Sequence, residues 1–234
     1  MPRSAPFTLL LIAVLFVVLV LVAPLLFLGI VGGAFSRLGF SSFQVVLLLA
    51  LTLFGSFVNI PVARVRSELP YGDVVRLPRG FMVDRLYRIP SFVTETTIAV
   101  NLGGAVVPSL VSLVLVAAAV QMGGAGILAP IALGVLGVSL VTRLVARPVP
   151  GLGITTPFFV PPLGAAIAGT LLAGGVPWAG PVIGYMSGTL GTLIGADLLL
   201  WRQFPRLGAR VVSIGGAGTF DGIFLAGVIA ALLA

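Results

Sequence analysis

Residues 178–201 read WAGPVIGYMSGTLGTLIGADLLLW, an apolar run that carries a single charge, Asp197. As a helix rising 1.5 Å per residue it is roughly 36 Å long, enough to cross a hydrocarbon core of about 30 Å. Runs of similar length recur along the 234-residue chain, of which 59% is hydrophobic and only 8% charged. A water-soluble core cannot hide that much apolar surface. Runs of about 20 residues suit helices and not the short alternating strands of a membrane barrel. The fold class is therefore all-α, a polytopic transmembrane helical bundle forming one membrane domain over residues 1–234, with the lipid bilayer as its surroundings.

Working outward from this run gives seven spans, at about 6–31, 42–62, 96–121, 125–142, 157–174, 178–201 and 213–234. The first is longer than a signal-peptide core and no small-x-small site closes it, so it reads as a retained helix. Arginine tests the count, because cytoplasmic loops collect it. Seven spans put Arg3, the six arginines from Arg64 to Arg88, Arg143, Arg147, Arg202, Arg206 and Arg210 on one side and Arg37 alone on the other. The expected topology has a cytoplasmic N-terminus and an external C-terminus. Residues 63–91 form an arginine-rich cytoplasmic loop, in which Phe81, Met82 and Tyr87 either rest on headgroups or pack against helix ends.

The chain has no cysteine, no histidine and no lysine. That excludes a disulfide framework, a thiolate nucleophile, a conventional zinc site, an imidazole base and a retinal-type Schiff base. No metal or cofactor is expected. The net charge of +7 consists of arginines flanking spans, which report topology and not a nucleic-acid partner.

Chemistry falls to the acids. Four of the six, Glu68, Asp73, Asp84 and Glu95, sit in or beside the arginine-rich loop and read as solvated or arginine-paired. Asp197 and Asp221 fall inside spans six and seven, roughly 6 Å and 10 Å from the cytoplasmic ends of those helices. Each costs about 2.5–3.5 kcal/mol at such a depth, so intramembrane acids usually face the bundle interior and act there. Two that approach closely share a proton, as an aspartyl-protease dyad or a proton relay does. The plainer alternatives are a helix N-cap for Asp221 and an interfacial partner of Arg202 for Asp197.

Span six also carries Gly180, Gly184, Gly188, Gly191 and Gly195, a close-packing stripe. With 100° per residue Asp197 lies opposite most of it, so the helix must be covered on both sides. Asn59 and Asn101 read first as interhelical hydrogen-bonding residues and second as substrate or ion contacts. Pro161 and Pro162 either hold extended backbone beside the acids or simply start a helix.

The segments Gly55-Ser56-Phe57-Val58-Asn59-Ile60-Pro61, Ala99-Val100-Asn101-Leu102-Gly103-Gly104-Ala105, Ala146-Arg147-Pro148-Val149-Pro150-Gly151, Gly195-Ala196-Asp197-Leu198 and 213–224 together resemble an uncharacterised prokaryotic multi-pass membrane family, domain of unknown function 1614. The resemblance implies residence in a prokaryotic inner membrane, and the family name carries no activity. A second likeness carries chemistry. An Asp in each of spans six and seven is similar to the presenilin and signal-peptide-peptidase class of intramembrane aspartyl proteases, which implies that Asp197 and Asp221 are catalytic and that a single-span membrane peptide is the substrate. In this chain Ala196 precedes Asp197, two extra residues separate Gly218 from Asp221, and Pro161-Pro162-Leu163 stands in for a Pro-Ala-Leu motif.

Two functions follow. The first is intramembrane aspartyl proteolysis by Asp197 and Asp221. The second is a proton- or cation-coupled transporter or channel, with its site at the broken start of span seven, where Gly216, Gly218, Thr219 and Asp221 offer carbonyls and a carboxylate. A non-catalytic scaffold is the third class, and it leaves the two acids without a role.

Overall fold

The structure, a computed structural model, describes residues 5–66, 95–150, 153–216 and 222–234. Its helices are α1 (Ala5–Arg37), α2 (Ser42–Gly55), α3 (Val107–Gly123), α4 (Leu128–Val145), α5 (Val160–Leu172), α6 (Ala179–Thr192) and α7 (Gly222–Leu233). Its strands are β1 (Asn59–Arg66), β2 (Glu95–Asn101), β3 (Arg147–Val149), β4 (Gly153–Thr155) and β5 (Val211–Ile214). A π-helical turn, Leu102–Val106, opens α3; a second, Leu193–Leu198, closes α6; and a 3-10 segment, Trp201–Leu207, follows it.

The expected count of seven spans is corrected. Among the described residues, Leu11–Arg37, Leu102–Gly123 and Ala125–Val145 are long and apolar enough to cross a membrane. A fourth span arises if Ala179–Leu198 and Trp201–Leu207, bent by 56°, count as one broken span. The cytoplasmic N-terminus and external C-terminus rested on counting seven, and they fall with that count.

The reasons are local. The expected second span breaks at Gly55, and residues 59–66 leave as an edge strand with Pro61 at a bulge, where a missing N–H costs little. The expected third span begins with Glu95-Thr96-Thr97-Ile98-Ala99-Val100-Asn101, rich in β-branched residues that favour a pleated strand. Helices α5 and α7 have 13 and 12 residues, roughly 20 Å and 18 Å at 1.5 Å per residue, short of a hydrocarbon core.

Strand β1 pairs antiparallel with β2, and β2 pairs parallel with β5, giving the order β1-β2-β5. Strands β3 and β4 form a separate hairpin. Ile98 and Val212 of the sheet bury with Phe204 and Leu207 of the 3-10 segment, a small second core at one end of the helices. The main core joins Val31 and Phe35 of α1, Leu115 of α3, Ile183, Tyr185 and Met186 of α6, and Phe224 and Val228 of α7. The larger part of the arginines described sits on sheet-end elements, Arg64, Arg66, Arg143, Arg147, Arg202, Arg206 and Arg210. At the opposite end Arg37 donates to the Leu232 carbonyl.

Helix α6 is the central post, packed against α3, α4, α5 and α7. Its glycines divide between two neighbours. Gly180, Gly184 and Gly188 lie on the backbone of α7 and the residue after it, at Ala234, Ala230 and Ala226, while Gly191 and Gly195 lie on Val138 and Ser139 of α4. A Cβ at Gly188 would stand 2.5 Å from the Ala226 carbonyl oxygen. That backbone cannot move aside without parting the helices. Gly188→Ala is therefore expected to lose about 1–3 kcal/mol by overpacking, read as a lower melting temperature in detergent. Gly137→Ala on α4, where a Cβ meets nothing within 4 Å, should melt at or above the wild-type temperature. Equal melting of both variants would remove the close-packed α6–α7 seam.

Candidate functional site

Two π turns meet where the helical bundle joins the sheet. A π turn holds an extra residue between hydrogen-bonded partners, which widens the helix, and such turns gather at functional positions. Ala105 of the first turn and Leu193 of the second bury together with Ile223, flanked by Val100 and Ile214. The contact is made by backbone. A side chain at Gly103 would strike the Thr52 carbonyl and the Ser56 amide at the end of α2, and one at Gly104 would strike the Gly215 carbonyl.

Asn101 holds this junction. It ends β2 fully buried. Its Nδ2 donates to the Ser56 carbonyl at 2.8 Å and to Asn59 Oδ1 at 3.1 Å, while its Oδ1 accepts the Gly104 N–H at 2.7 Å. Ser213 on β5 donates its hydroxyl to the same Asn59 Oδ1 at 2.6 Å. Asn59 and Asn101 are also paired across the β1–β2 ladder. The two asparagines thus link strands and a helix start, where interhelical bonds were expected.

Asp197 lies in the second π turn, half-buried. Its Oδ2 accepts the Gly215 backbone N–H at 2.7 Å. Gly215 and Gly216 both have positive φ, +90° and +77°, a conformation that suits glycine and lets the chain turn sharply after β5. Between Thr192 and Asp197 the π turn departs from the 100° per residue of an α-helix. The other carboxylate oxygen has no protein hydrogen bond among the described residues.

Of the remaining expected site residues, Gly216 stands in this turn, while Gly218, Thr219 and Asp221 lie outside the described residues, and with them the separation of the two acids. Pro161 and Pro162 occupy the buried first turn of α5, a position natural to proline. Residues 67–94, the bulk of the expected arginine-rich loop, also lie outside the described residues. No group of three or more His, Cys, Asp or Glu side chains gathers among the described residues.

Ser56, Ser213, Gly104 and Gly215 were not singled out by the sequence, although a signal for them exists. Asn101-Leu102-Gly103-Gly104-Ala105 and Ser213-Ile214-Gly215-Gly216-Ala217 share one pattern: a polar residue, an aliphatic one, then Gly-Gly-Ala. Each stretch leaves one of the two parallel strands, β2 and β5, and the two Gly-Gly pairs touch through Gly104 and Gly215.

Removing an acceptor from a buried N–H costs about 1–3 kcal/mol. Asp197→Asn keeps an oxygen for the Gly215 N–H and should melt close to wild type, whereas Asp197→Leu should lose about that much. Asn101→Leu, which orphans the Ser56 carbonyl and the Gly104 N–H together, should fall furthest. Thermal unfolding in detergent checks the order, and an Asp197→Leu protein as stable as Asp197→Asn would remove the anchoring role.

Neither a curated protein nor a solved structure matches the chain. The likeness to presenilin and signal-peptide peptidase therefore stands without support. A protein family does match, over residues 53–233, from the end of α2 through α7. The chain belongs to the family described as Protein of unknown function (DUF1614).

Proposed function

We propose that this protein is a proton- or cation-coupled membrane transport protein, with its coupling site at the polar junction around Asp197. One observation carries the reading: the acid within the broken helix 179–207 is bonded to the Gly215 N–H of the turn that leads into α7. A carboxylate in a membrane helix costs several kcal/mol unless it faces a polar interior. Broken helices are tolerated at membrane depth where the freed backbone groups line a protected site. One oxygen of Asp197 anchors the turn, and the other has no protein hydrogen bond among the described residues, which supports a role in holding a proton, a water or a cation.

The geometry also gives a means of coupling. Loading the carboxylate weakens its acceptance of the Gly215 N–H and so loosens the turn between β5 and α7. Binding at one residue thereby changes how two membrane elements are joined. Proteolysis by Asp197 and Asp221 would need both carboxylates around one water, whereas the transport reading needs only Asp197 and the turn it holds.

The test is reconstitution of the purified chain in liposomes with a pH-sensitive dye and ion-selective electrodes inside an imposed potential. Wild type should move protons or cations faster than empty liposomes, and Asp197→Asn should return to the empty rate while folding normally. A panel of single-span peptides in the same lipid should remain uncut. Cleavage that depends on Asp197, without ion movement, would replace this reading with the protease.

A further inference from the structure

Helices α4 and α6 carry buried hydroxyls that their packing does not satisfy. Thr142, Ser187, Thr189 and Thr192 are buried with no hydrogen-bond partner for their side-chain oxygens among the described residues. A hydroxyl buried this way costs on the order of 1–3 kcal/mol. In native proteins an orphaned polar atom of this kind most often marks an internal water or a functional route.

Two of the four fall into a line. Tyr185, Thr189 and Thr192 recur at i, i+4 and i+7, within about 60° of one another on an α-helix. All three are buried. Thr189 lies beside the Tyr185 hydroxyl but outside hydrogen-bond geometry. The π turn Leu193–Leu198 follows directly on Thr192 and contains Asp197. Along the helix axis Thr189 stands roughly 6 Å beyond Tyr185, and Thr192 roughly 4.5 Å beyond Thr189, at 1.5 Å per residue. Ser187 faces the other way, toward Gly134 of α4.

We propose that Tyr185, Thr189 and Thr192 line a water-bridged proton path through α6 that ends on Asp197. This rests on the transport reading and names its ion. A dehydrated metal cation needs several oxygens converging on one point, whereas a proton passes along a line of groups that each donate and accept. Threonine and tyrosine hydroxyls do both. No bond other than O–H is made or broken: each hydroxyl or water accepts a proton on one side and releases one on the other, and Asp197 takes up and gives back the last.

The experiment measures potential-driven proton flux in the liposomes described above, for wild type, Thr189→Val, Thr192→Val, Thr192→Ser, Tyr185→Phe and Ser187→Ala. Valine preserves the shape of threonine without its hydroxyl, so folding should survive, as melting in detergent would show. Flux should fall about a hundredfold in Thr192→Val and Thr189→Val, the lower end for a positioned proton-transfer group. It should fall similarly in Tyr185→Phe. Thr192→Ser, which keeps the hydroxyl, and Ser187→Ala, off the line, should conduct as wild type. Asp197-dependent proton flux that is unchanged in both valine variants would overturn the path and leave the transport reading intact. Flux of sodium or potassium without protons would overturn the path and its ion. No ion movement at all in wild type would overturn both.

Discussion

A backbone group freed inside apolar surroundings must find a partner within the protein, and this fold is arranged around two places where that need arises. A helix satisfies itself until it breaks, and here two helices break at the same level. Where β2 turns into α3, Asn101 supplies both a donor and an acceptor to the freed backbone. Where β5 turns toward α7, Asp197 supplies the acceptor from across the structure, out of the end of α6. Glycine makes both repairs possible. Gly103, Gly104 and Gly215 bring main chains so close that no side chain fits between them. Polar repair and close approach therefore depend on each other, and the sheet, the two π turns and the ends of α2, α6 and α7 are held as one junction.

The two repairs differ in kind. Asn101 is fully buried and carries no charge, so its bonds hold at any pH and its role is to fix the junction. Asp197 is half-buried and ionisable. Its hold on Gly215 is strongest when charged, since an ionised acceptor makes the shorter and stronger bond. A permanent joint and a switchable one stand side by side. The α6–α7 glycine seam begins beside this joint, with the backbones of the two helices in close contact.

Much of the composition-level reading survived, and its failures have physical causes. Membrane character was legible because apolar runs with few charges have no other stable home. The arginine split was read as topology and fell with the span count, and Arg3, Arg76, Arg79, Arg85 and Arg88 lie outside the described residues. The count of spans was not legible. Hydropathy over a long window cannot separate a short strand such as Glu95–Asn101 from the helix it runs into, and it merged β2 with α3 and β5 with α7. Asp197 was legible as an acid within an apolar run, whereas the π turn that holds it has no simple sequence signature. Asn59 and Asn101 were found as polar residues at depth. Their strand pairing was hidden by the same merging of strand with helix. The Gly-Gly-Ala repeat after β2 and β5 was visible, and its meaning needed the parallel pairing of those strands.

The Asp197 carboxylate holds the Gly215 amide at the turn that follows β5. Glycine-selective amide hydrogen exchange reads that bond directly, because an N–H held by a carboxylate inside the protein exchanges slowly and one left to solvent exchanges fast. The Gly215 amide is expected to be protected in wild type, to remain largely protected in Asp197→Asn and to lose protection in Asp197→Leu, while glycines of the α6–α7 seam stay protected in all three. Fast exchange of Gly215 in the wild-type protein, or protection indifferent to residue 197, would contradict it.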